Sequence, residues 1–254
     1  MIQGRVIYVL WRREIIKYFR VRSRIAGAIG MPAFMLIFQG MGFRRVEFPG
    51  LPASIGYFQY LVPGIIGMTL LFTAAYAGMS VIMDKQFGFL KEVMVTPASR
   101  VSIVLGMISG SATTSIIQAL IIMLMSVLLG FKLPLIHEVL FSIVIMVLIS
   151  MIFINIGLIL SSLLKDFHGF STVINFIAFP LFLLSGALFP VSNLPAPIRI
   201  LSYFDPLTYG VDALRGILID HCEFSIVLNI SILLTLSVLM VCASSYFFRR
   251  AEII

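Results

Sequence analysis

Residues 84–100, DKQFGFLKEVMVTPASR, are the one densely charged stretch in the middle of an otherwise apolar chain. Charged residues recur within it at a spacing of seven, which predicts one polar side of a short helix, with apolar residues on the opposite side. The polar set is Asp84, Lys85, Lys91 and Glu92, and the apolar set is Phe87, Leu90 and Met94. Apolar segments long enough to cross a membrane flank this stretch, so it is predicted to lie flat at a membrane surface. A solvated loop between two spans is the alternative interpretation.

The composition is that of an integral membrane protein. Of the 254 residues, 60% are hydrophobic and 11% are charged, whereas soluble domains have about one quarter charged residues. The mean hydropathy is +1.10. The net charge of +7 comes from basic residues beside apolar segments, where anionic lipid rather than nucleic acid is the expected partner. We therefore expect a single all-α domain, residues 1–254, embedded in the cell (plasma) membrane.

Six apolar segments predict six membrane-spanning helices. Their predicted bounds are 25–43, 61–83, 101–131, 139–164, 170–189 and 224–248. The third is longer than one hydrocarbon layer requires, so it must tilt, kink or protrude. Thr96 is a suitable cap and Pro97 a suitable first residue for the helix that begins this segment. With the N-terminus inside, thirteen basic residues are cytoplasmic and five are external, which predicts that both termini and residues 84–100 face the cytoplasm.

Small residues at helical spacing mark the third span. Gly106 and Gly110 form a GxxxG pair, followed by Thr114, and such a stripe lets another helix approach closely. Packing within the same chain is the favoured interpretation, and a dimer seam is the alternative. Gln118, Asn155 and Asn175 are expected to form hydrogen bonds between helices rather than to contact a substrate.

The N-terminal segment, residues 1–24, is strongly basic and predicts an amphipathic helix at the membrane interface. Aromatic and aliphatic residues fall on one face and basic residues on the other. The first set is Tyr8, Trp11, Ile15 and Phe19, and the second is Arg13, Lys17, Arg20 and Arg24. The basic face is expected to meet anionic lipid or an acidic partner. A segment that serves only to set the topology is the alternative.

Residues 190–223, between the fifth and sixth spans, predict a pair of short helices resting in the outer leaflet. The first is expected over 197–204, and the second begins where Asp205 and Pro206 form a typical helix start. An apolar stripe follows on the second helix, formed by Leu207, Val211, Leu214 and Leu218. Asp212 and Arg215 lie three residues apart on its other side and are expected to pair.

Motifs for catalysis or metal binding are absent from the sequence. There is no GxxxxGK[ST], HExxH, CxxC or GxSxG, so no nucleotide cradle, catalytic residue, metal or cofactor is expected in this chain. His221, Cys222 and Glu223 adjoin, but three neighbouring residues on one turn point apart. The interiors of the spans carry no charged residue, which argues against an ion-coupled carrier.

The stretch LFLLSGALFPVSNLPAPIRILSYFDPLTYGVDALRGIL, residues 181–218, resembles the C-terminal signature of the type-2 permeases of ABC transporters, the membrane subunits of drug, glycan and lipid exporters. The charged stretch resembles the loop in which that family has acidic, Gly and Leu residues ending in a Thr-Pro step. The matching residues are Gly88, Leu90, Glu92, Thr96, Pro97 and Arg100. Lys85 and Gln86 depart from the family, whose loop often opens with more acidic residues.

The resemblance implies that residues 84–100 are a coupling helix seated in a groove of a separate ATPase subunit, which binds ATP and Mg. The implied contact residues are Asp84, Lys85, Phe87, Gly88, Leu90, Lys91, Glu92, Thr96, Pro97 and Arg100. The implied residues of the extracellular re-entrant hairpin are Gly186, Pro190, Pro195, Asp205, Pro206, Tyr209, Asp212 and Arg215. Two ATPases and two permeases, identical or sister chains, would form the exporter.

The expected substrate is a hydrophobic or amphipathic small molecule such as a drug, because the spans are apolar and the outer segment is short. A glycan or lipid-linked substrate is the alternative within the family. An ion-coupled secondary transporter and a membrane scaffold without transport are the alternatives from other classes.

Overall fold

A computed structural model describes residues 3–43, 55–89, 92, 95, 99–132, 134–164 and 166–250. Every regular element in these ranges is helical, and six helical segments are long and apolar enough to cross a membrane. The all-α, six-span prediction is therefore confirmed. The six segments are Ile25–Gly42, Tyr57–Gln86, Val101–Leu128, Ile136–Leu163, Phe167–Leu184 and Ile226–Phe247.

The helices follow one another with short connections. In chain order they are α1 (Gly4–Arg20), α2 (Arg22–Gly42), α3 (Tyr57–Ala75), α4 (Ala77–Gln86), α5 (Arg100–Leu128), α6 (Ile136–Leu163), α7 (Phe167–Leu184), α8 (Ala196–Ser202), α9 (Pro206–Leu218) and α10 (Ile226–Arg250), with a 3₁₀ turn at Val191–Asn193. Some predicted bounds were wrong. The second span begins at Tyr57 rather than 61 and extends to Gln86, and the fifth ends at Leu184 rather than 189.

The second span is two helices, and the break between them lies at its closest contact with α6. Tyr76 separates α3 from α4. A Cβ on Gly157 would lie 2.2 Å from the carbonyl oxygen of Ala75, and one on Gly78 would lie 2.2 Å from the carbonyl oxygen of Gly157. The backbones therefore touch, which only glycine permits at these two positions. α3 is central to the bundle, and its Leu61, Ile65 and Leu70 are fully buried.

α1 packs lengthwise against α5, and the two helices run parallel. Near the N-terminal ends of the two helices, the backbone amide of Gln3 donates to the Ser102 hydroxyl. Further along, the side-chain amide of Gln118 donates to the Tyr18 hydroxyl. A Cβ on Gly106 would lie 2.8 Å from the Cβ of Leu10, and one on Gly110 would lie 2.6 Å from the Cβ of Glu14. The prediction that the GxxxG stripe admits a helix of the same chain is confirmed.

The face that α1 buries differs from the predicted stripe. The buried residues are Leu10, Glu14 and Tyr18, while Tyr8 and Phe19 of the predicted apolar face are exposed. Because α1 packs against the glycines of α5, the buried side of α1 is the row of residues spaced by four that faces these glycines, and not its most apolar face. The side chains of Tyr8 and Phe19 thus lie on the outside of the helix bundle.

Candidate coupling site and outer hairpin

Asp84 lies in the last turn of α4, and its carboxylate forms ion pairs with two basic side chains of α1. The two guanidinium nitrogens of Arg13 each donate to one Asp84 oxygen at 2.7 Å, and the Lys17 ammonium donates at 3.3 Å. Asp84 is only 4% exposed. A bidentate pair of this kind is a strong, directional contact. Asp84 was predicted to lie on an exposed polar face, and this is wrong because the carboxylate points toward α1.

Two further contacts join this region to the bundle. The guanidinium carbon of Arg13 lies 3.7 Å from the centroid of the Phe89 ring, and the hydrogen bonds to Asp84 raise the pKa of Arg13. The Lys85 ammonium donates to the carbonyl oxygen of Ser161 at the end of α6, with a separation of 2.6 Å. Lys85 therefore holds α4 to α6, and it is not a free surface cation.

The predicted single helical face over residues 84–92 is also wrong. α4 ends at Gln86, and Gly88 has φ +76, a left-handed conformation that glycine adopts without strain. The helical phase is therefore interrupted between Lys85 and Glu92. Phe87 and Val95 are 83% and 87% exposed, and Glu92 is exposed as well.

Four of the remaining predicted contact residues lie outside the residues that the structure describes: Leu90, Lys91, Thr96 and Pro97. Arg100 is the first residue of α5, and the cap of this helix is Ser99, whose hydroxyl accepts from the Ser102 amide. The helix that continues into the third span is thus capped by Ser99 and not by Thr96.

Polar side chains link the same helices further along. The indole nitrogen of Trp11 donates to the Thr113 hydroxyl at 3.0 Å, and the Thr73 hydroxyl donates to the Gln118 carbonyl group at 2.7 Å. The Ser244 hydroxyl donates to Asn155, which joins α10 to α6. The predicted interhelical hydrogen bonds of Gln118 and Asn155 are confirmed, whereas Asn175 is exposed.

Residues 186–223 are called the outer hairpin after the position predicted for residues 190–223, and they contain α8 and α9, as the sequence predicted. Pro195 precedes α8, and Pro206 begins α9 with Asp205 as its cap, since an Asp205 oxygen accepts from the Leu207 amide at 2.9 Å. The second Asp205 oxygen is buried without a hydrogen-bond partner. Burial raises the pKa of Asp205 to about 8. The Tyr209 hydroxyl donates to the carbonyl oxygen of Tyr203 and ties the two helices together.

Arg215 is buried at the centre of the hairpin, 3% exposed. Its guanidinium donates to the carbonyl oxygens of Gly186 at 2.7 Å, Ala187 at 3.1 Å and Tyr60 at 3.4 Å. Gly186 has φ +71, and the Gly64 Cα lies so close to this turn that a Cβ would be 2.1 Å from the Ala187 carbonyl oxygen. Arg215 therefore fastens the turn after α7 to the start of α3.

Asp212 is also buried, but it does not pair with Arg215 as predicted. Its oxygens accept from the Glu223 amide at 2.7 Å, the Phe224 amide at 3.0 Å and the Asn229 side chain at 2.8 Å. The Glu223 carboxylate in turn accepts from the amide of Val191, which follows the buried Pro190. Asp212 thus organises the entry into α10. The expected ion pair is wrong because each side chain satisfies backbone groups on a different neighbouring segment.

Arg13, Glu14, Tyr60 and Gly64 have positions in these clusters that the sequence did not indicate. Most of their partners are distant in the chain, so helical spacing carries no signal for them, and only Glu14 also accepts a hydrogen bond from a neighbour, Arg13. Among the described residues, no group of three His, Cys, Asp or Glu side chains is placed to hold a metal ion.

Six apolar helical segments with buried polar contacts at both ends define a multi-pass helical membrane protein. Comparison with known proteins narrows this class. A family model for the ABC-2 type transporter matches residues 5–219. The putative transport permease ycf38 of Cyanophora paradoxa is 30% identical over 210 residues, which cover 82% of this chain and 72% of that protein.

Two other relatives match over a similar length. Nodulation protein J of Sinorhizobium fredii is 24% identical over 234 residues, covering 91% of this chain and 87% of the relative. The inner membrane transport permease YadH of Escherichia coli K12 is 26% identical over 214 residues, covering 81% and 80%. The chain belongs to the ABC-2 type transporter permease family.

Proposed function

We propose that this chain is the permease subunit of an ATP-driven exporter, with ATP hydrolysis carried out by separate ATPase subunits. Membership of the ABC-2 family supports a transport role, and proteins of this family generally work with ATPase subunits. The sequence has no nucleotide-binding motif of its own. In this proposal both termini and residues 84–100 face the cytoplasm, where the ATPase is located.

The observation that carries the proposal is the arrangement around Asp84. Exposed Phe87 directly follows α4, and exposed Glu92 lies further along the same segment. The last turn of α4 is fixed to α1 by Arg13 and to α6 by Lys85. A force applied at Phe87 by the ATPase would therefore reach three helices at once. Packed helices move as rigid elements, so this is an effective place to drive a change between inward and outward access.

A pair of permease chains is part of the proposal, either two copies or this chain with a sister chain. Six spans in one chain leave α2, α7 and α10 with large exposed apolar faces. Lipid and a second permease can both cover such faces. The proposed substrate is a hydrophobic or amphipathic small molecule, because the interiors of the spans carry no charged residue.

The decisive experiment separates assembly from transport. The chain is expressed with its ATPase subunit, and two variants are compared with the wild type for co-purification of the ATPase and for ATP-dependent uptake into inverted vesicles. Phe87→Ala combined with Glu92→Lys should abolish both. Phe204→Ala, which removes an equally exposed side chain, 80% accessible, at the tip of the outer hairpin, should leave ATPase binding unchanged. Transport by the purified chain alone under an ion gradient would contradict the proposal.

A further inference from the structure

α1 carries basic residues of two kinds. Arg13 and Lys17 are turned inward onto Asp84, and Arg13 also binds Glu14, so this cluster of two basic and two acidic side chains has no net charge. Arg5 and Arg12 are exposed, and no carboxylate among the described residues lies within salt-bridge distance of either. The folded helix therefore presents only part of the basic face that sequence spacing predicts, because Arg13 and Lys17 are turned inward whereas Arg20 is exposed.

Arg5 and Arg12 share one side of α1, since a spacing of seven residues is two turns. The same exposed arc carries large apolar side chains: Tyr8 is 57% exposed, Val9 61%, Ile16 49% and Phe19 52%. Arginines between exposed aromatic and aliphatic residues are typical of a helix at the boundary between lipid headgroups and acyl chains. An acidic protein surface would leave these apolar side chains without a suitable environment.

The position of this face along the bundle agrees with a bilayer boundary. α5 has 29 residues, whereas about 20 suffice to cross the hydrocarbon layer. Near the end where α5 begins, Ser102 contacts Gln3, which precedes α1, and Gly106 contacts Leu10 of α1. At the opposite end of α5, the Gln59 side chain donates to the carbonyl oxygen of Gly130 beside the start of α3. Arg5 thus lies beside the end of α5 that is remote from the Gln59–Gly130 contact, and the surplus of about nine residues over a single hydrocarbon layer fits at this end.

We infer that the exposed Arg5–Arg12 face of α1 binds the phosphate groups of anionic phospholipids in the bilayer, with Tyr8 at the level of the headgroups and Phe19, next to the Tyr18–Gln118 contact with the middle of α5, among the acyl chains. Arginine forms bidentate hydrogen bonds with phosphate, and basic residues at a membrane surface favour anionic over neutral lipid. Each arginine is worth about fivefold in this preference. Because α1 also holds Asp84, the bound lipid would support α4, which ends just before the exposed Phe87.

Trp11 is the single tryptophan of the chain and lies on α1, so its fluorescence reports on lipid beside this helix. The full-length protein is reconstituted into phosphatidylcholine vesicles that contain either brominated phosphatidylglycerol or brominated phosphatidylcholine, since bromine quenches tryptophan on contact. In the wild type, brominated phosphatidylglycerol should quench Trp11 more strongly. The preference should fall about fivefold in Arg12→Gln and about 25-fold in the double variant Arg5→Gln/Arg12→Gln.

Three controls make the result specific. Arg12→Lys keeps the charge and should retain most of the preference. Lys132→Gln removes an exposed cation at the other end of α5 and should leave the preference unchanged. High salt should weaken the wild-type preference, because it screens exposed charges. The measurement needs neither an ATPase nor a transport substrate, so its outcome is independent of the proposed function.

Equal quenching by the two brominated lipids in the wild type would overturn the inference and would favour an acidic protein surface as the occupant. A double variant that folds and keeps the full preference would overturn it as well. Retention of α1 packing in that variant is checked by the emission maximum of Trp11, whose indole donates to Thr113.

Discussion

The guanidinium carbon of Arg215 lies 3.6 Å from the centroid of the Tyr60 ring, although the two residues are 155 positions apart. The same Arg215 satisfies the carbonyl oxygens of the Gly186–Ala187 turn. A single side chain thus connects α9, the start of α3 and the end of α7. The outer hairpin is therefore held as one unit with the second span, and any opening on this side must move or break the Arg215 contacts.

Replacing Arg215 by alanine should be strongly destabilising, because it removes the hydrogen bonds to the buried Gly186 and Ala187 carbonyl groups and the stacking on Tyr60. The expected loss is about 3 kcal/mol in the free energy of unfolding. Thermal unfolding of the detergent-solubilised protein measures it. Arg199→Ala on α8 is the matched control and should change stability by less than about 0.5 kcal/mol. Equal stability of Arg215→Ala and the wild type would contradict the central role of Arg215.

Arg13 and Asp84 should be energetically coupled. In a double-mutant cycle with Arg13→Ala and Asp84→Asn, the expected interaction is about 1–3 kcal/mol, since the pair is bidentate and Asp84 is buried. The cycle is measured by unfolding in detergent. Replacing Arg12 in place of Arg13 gives the control cycle, because Arg12 is adjacent in sequence but exposed, and its coupling to Asp84 should be near zero. Similar coupling in both cycles would mean that the Arg13–Asp84 contact contributes nothing specific.

Asp205 should make stability depend on pH. Burial raises the pKa of this carboxyl group from its ordinary value of 3.8 to about 8 in the folded protein. Between about pH 4 and 8, the folded state keeps a proton that the unfolded chain releases, so the free energy of unfolding falls as the pH increases through this window. One pKa unit corresponds to about 1.4 kcal/mol, so the full fall is on the order of 6 kcal/mol.

Asp205→Asn should flatten that pH dependence, because asparagine can still cap α9 but does not ionise. Unfolding temperatures at pH 5 and pH 8 provide the comparison. Asp220→Asn is a suitable control, since Asp220 is an exposed carboxylate with a φ of 52 that asparagine also tolerates. If Asp205→Asn and the wild type lose the same stability between these pH values, the buried carboxyl group is not the cause.

Gly157→Ala should separate α6 from the break between α3 and α4. The added Cβ would overlap the carbonyl oxygen of Ala75, and backbone cannot move aside as a side chain can. We expect a loss of about 2 kcal/mol or more in the free energy of unfolding, in the range for overpacking. Gly27→Ala places a methyl group in open space and should be neutral or slightly stabilising because alanine favours helix. An unfolding temperature of Gly157→Ala equal to that of Gly27→Ala would show that the helices can separate without cost.

The apolar spans, the close approach at Gly106 and Gly110, and the helix start at Asp205 could all be predicted from the sequence. Each depends on residues that are neighbours along the chain, so length, spacing and local capping carry the signal. The family resemblance of residues 181–218 agrees with the ABC-2 family match over residues 5–219. The expected roles of the loop residues in binding an ATPase stay predictions.

Other features were decided only by the tertiary structure. Helical spacing placed Asp84 on an exposed face, but Arg13 binds Asp84 across 71 positions of the chain. Spacing also placed Asp212 beside Arg215, but each of these two side chains binds backbone groups of other segments instead. The positive φ of Gly88 also interrupts the helical phase that the spacing assumed. A buried charge takes whichever donors or acceptors surround it when water is removed, and these come from segments distant in the chain. The sequence by itself determined which segments cross the membrane, whereas packing determined which polar groups those segments bring together.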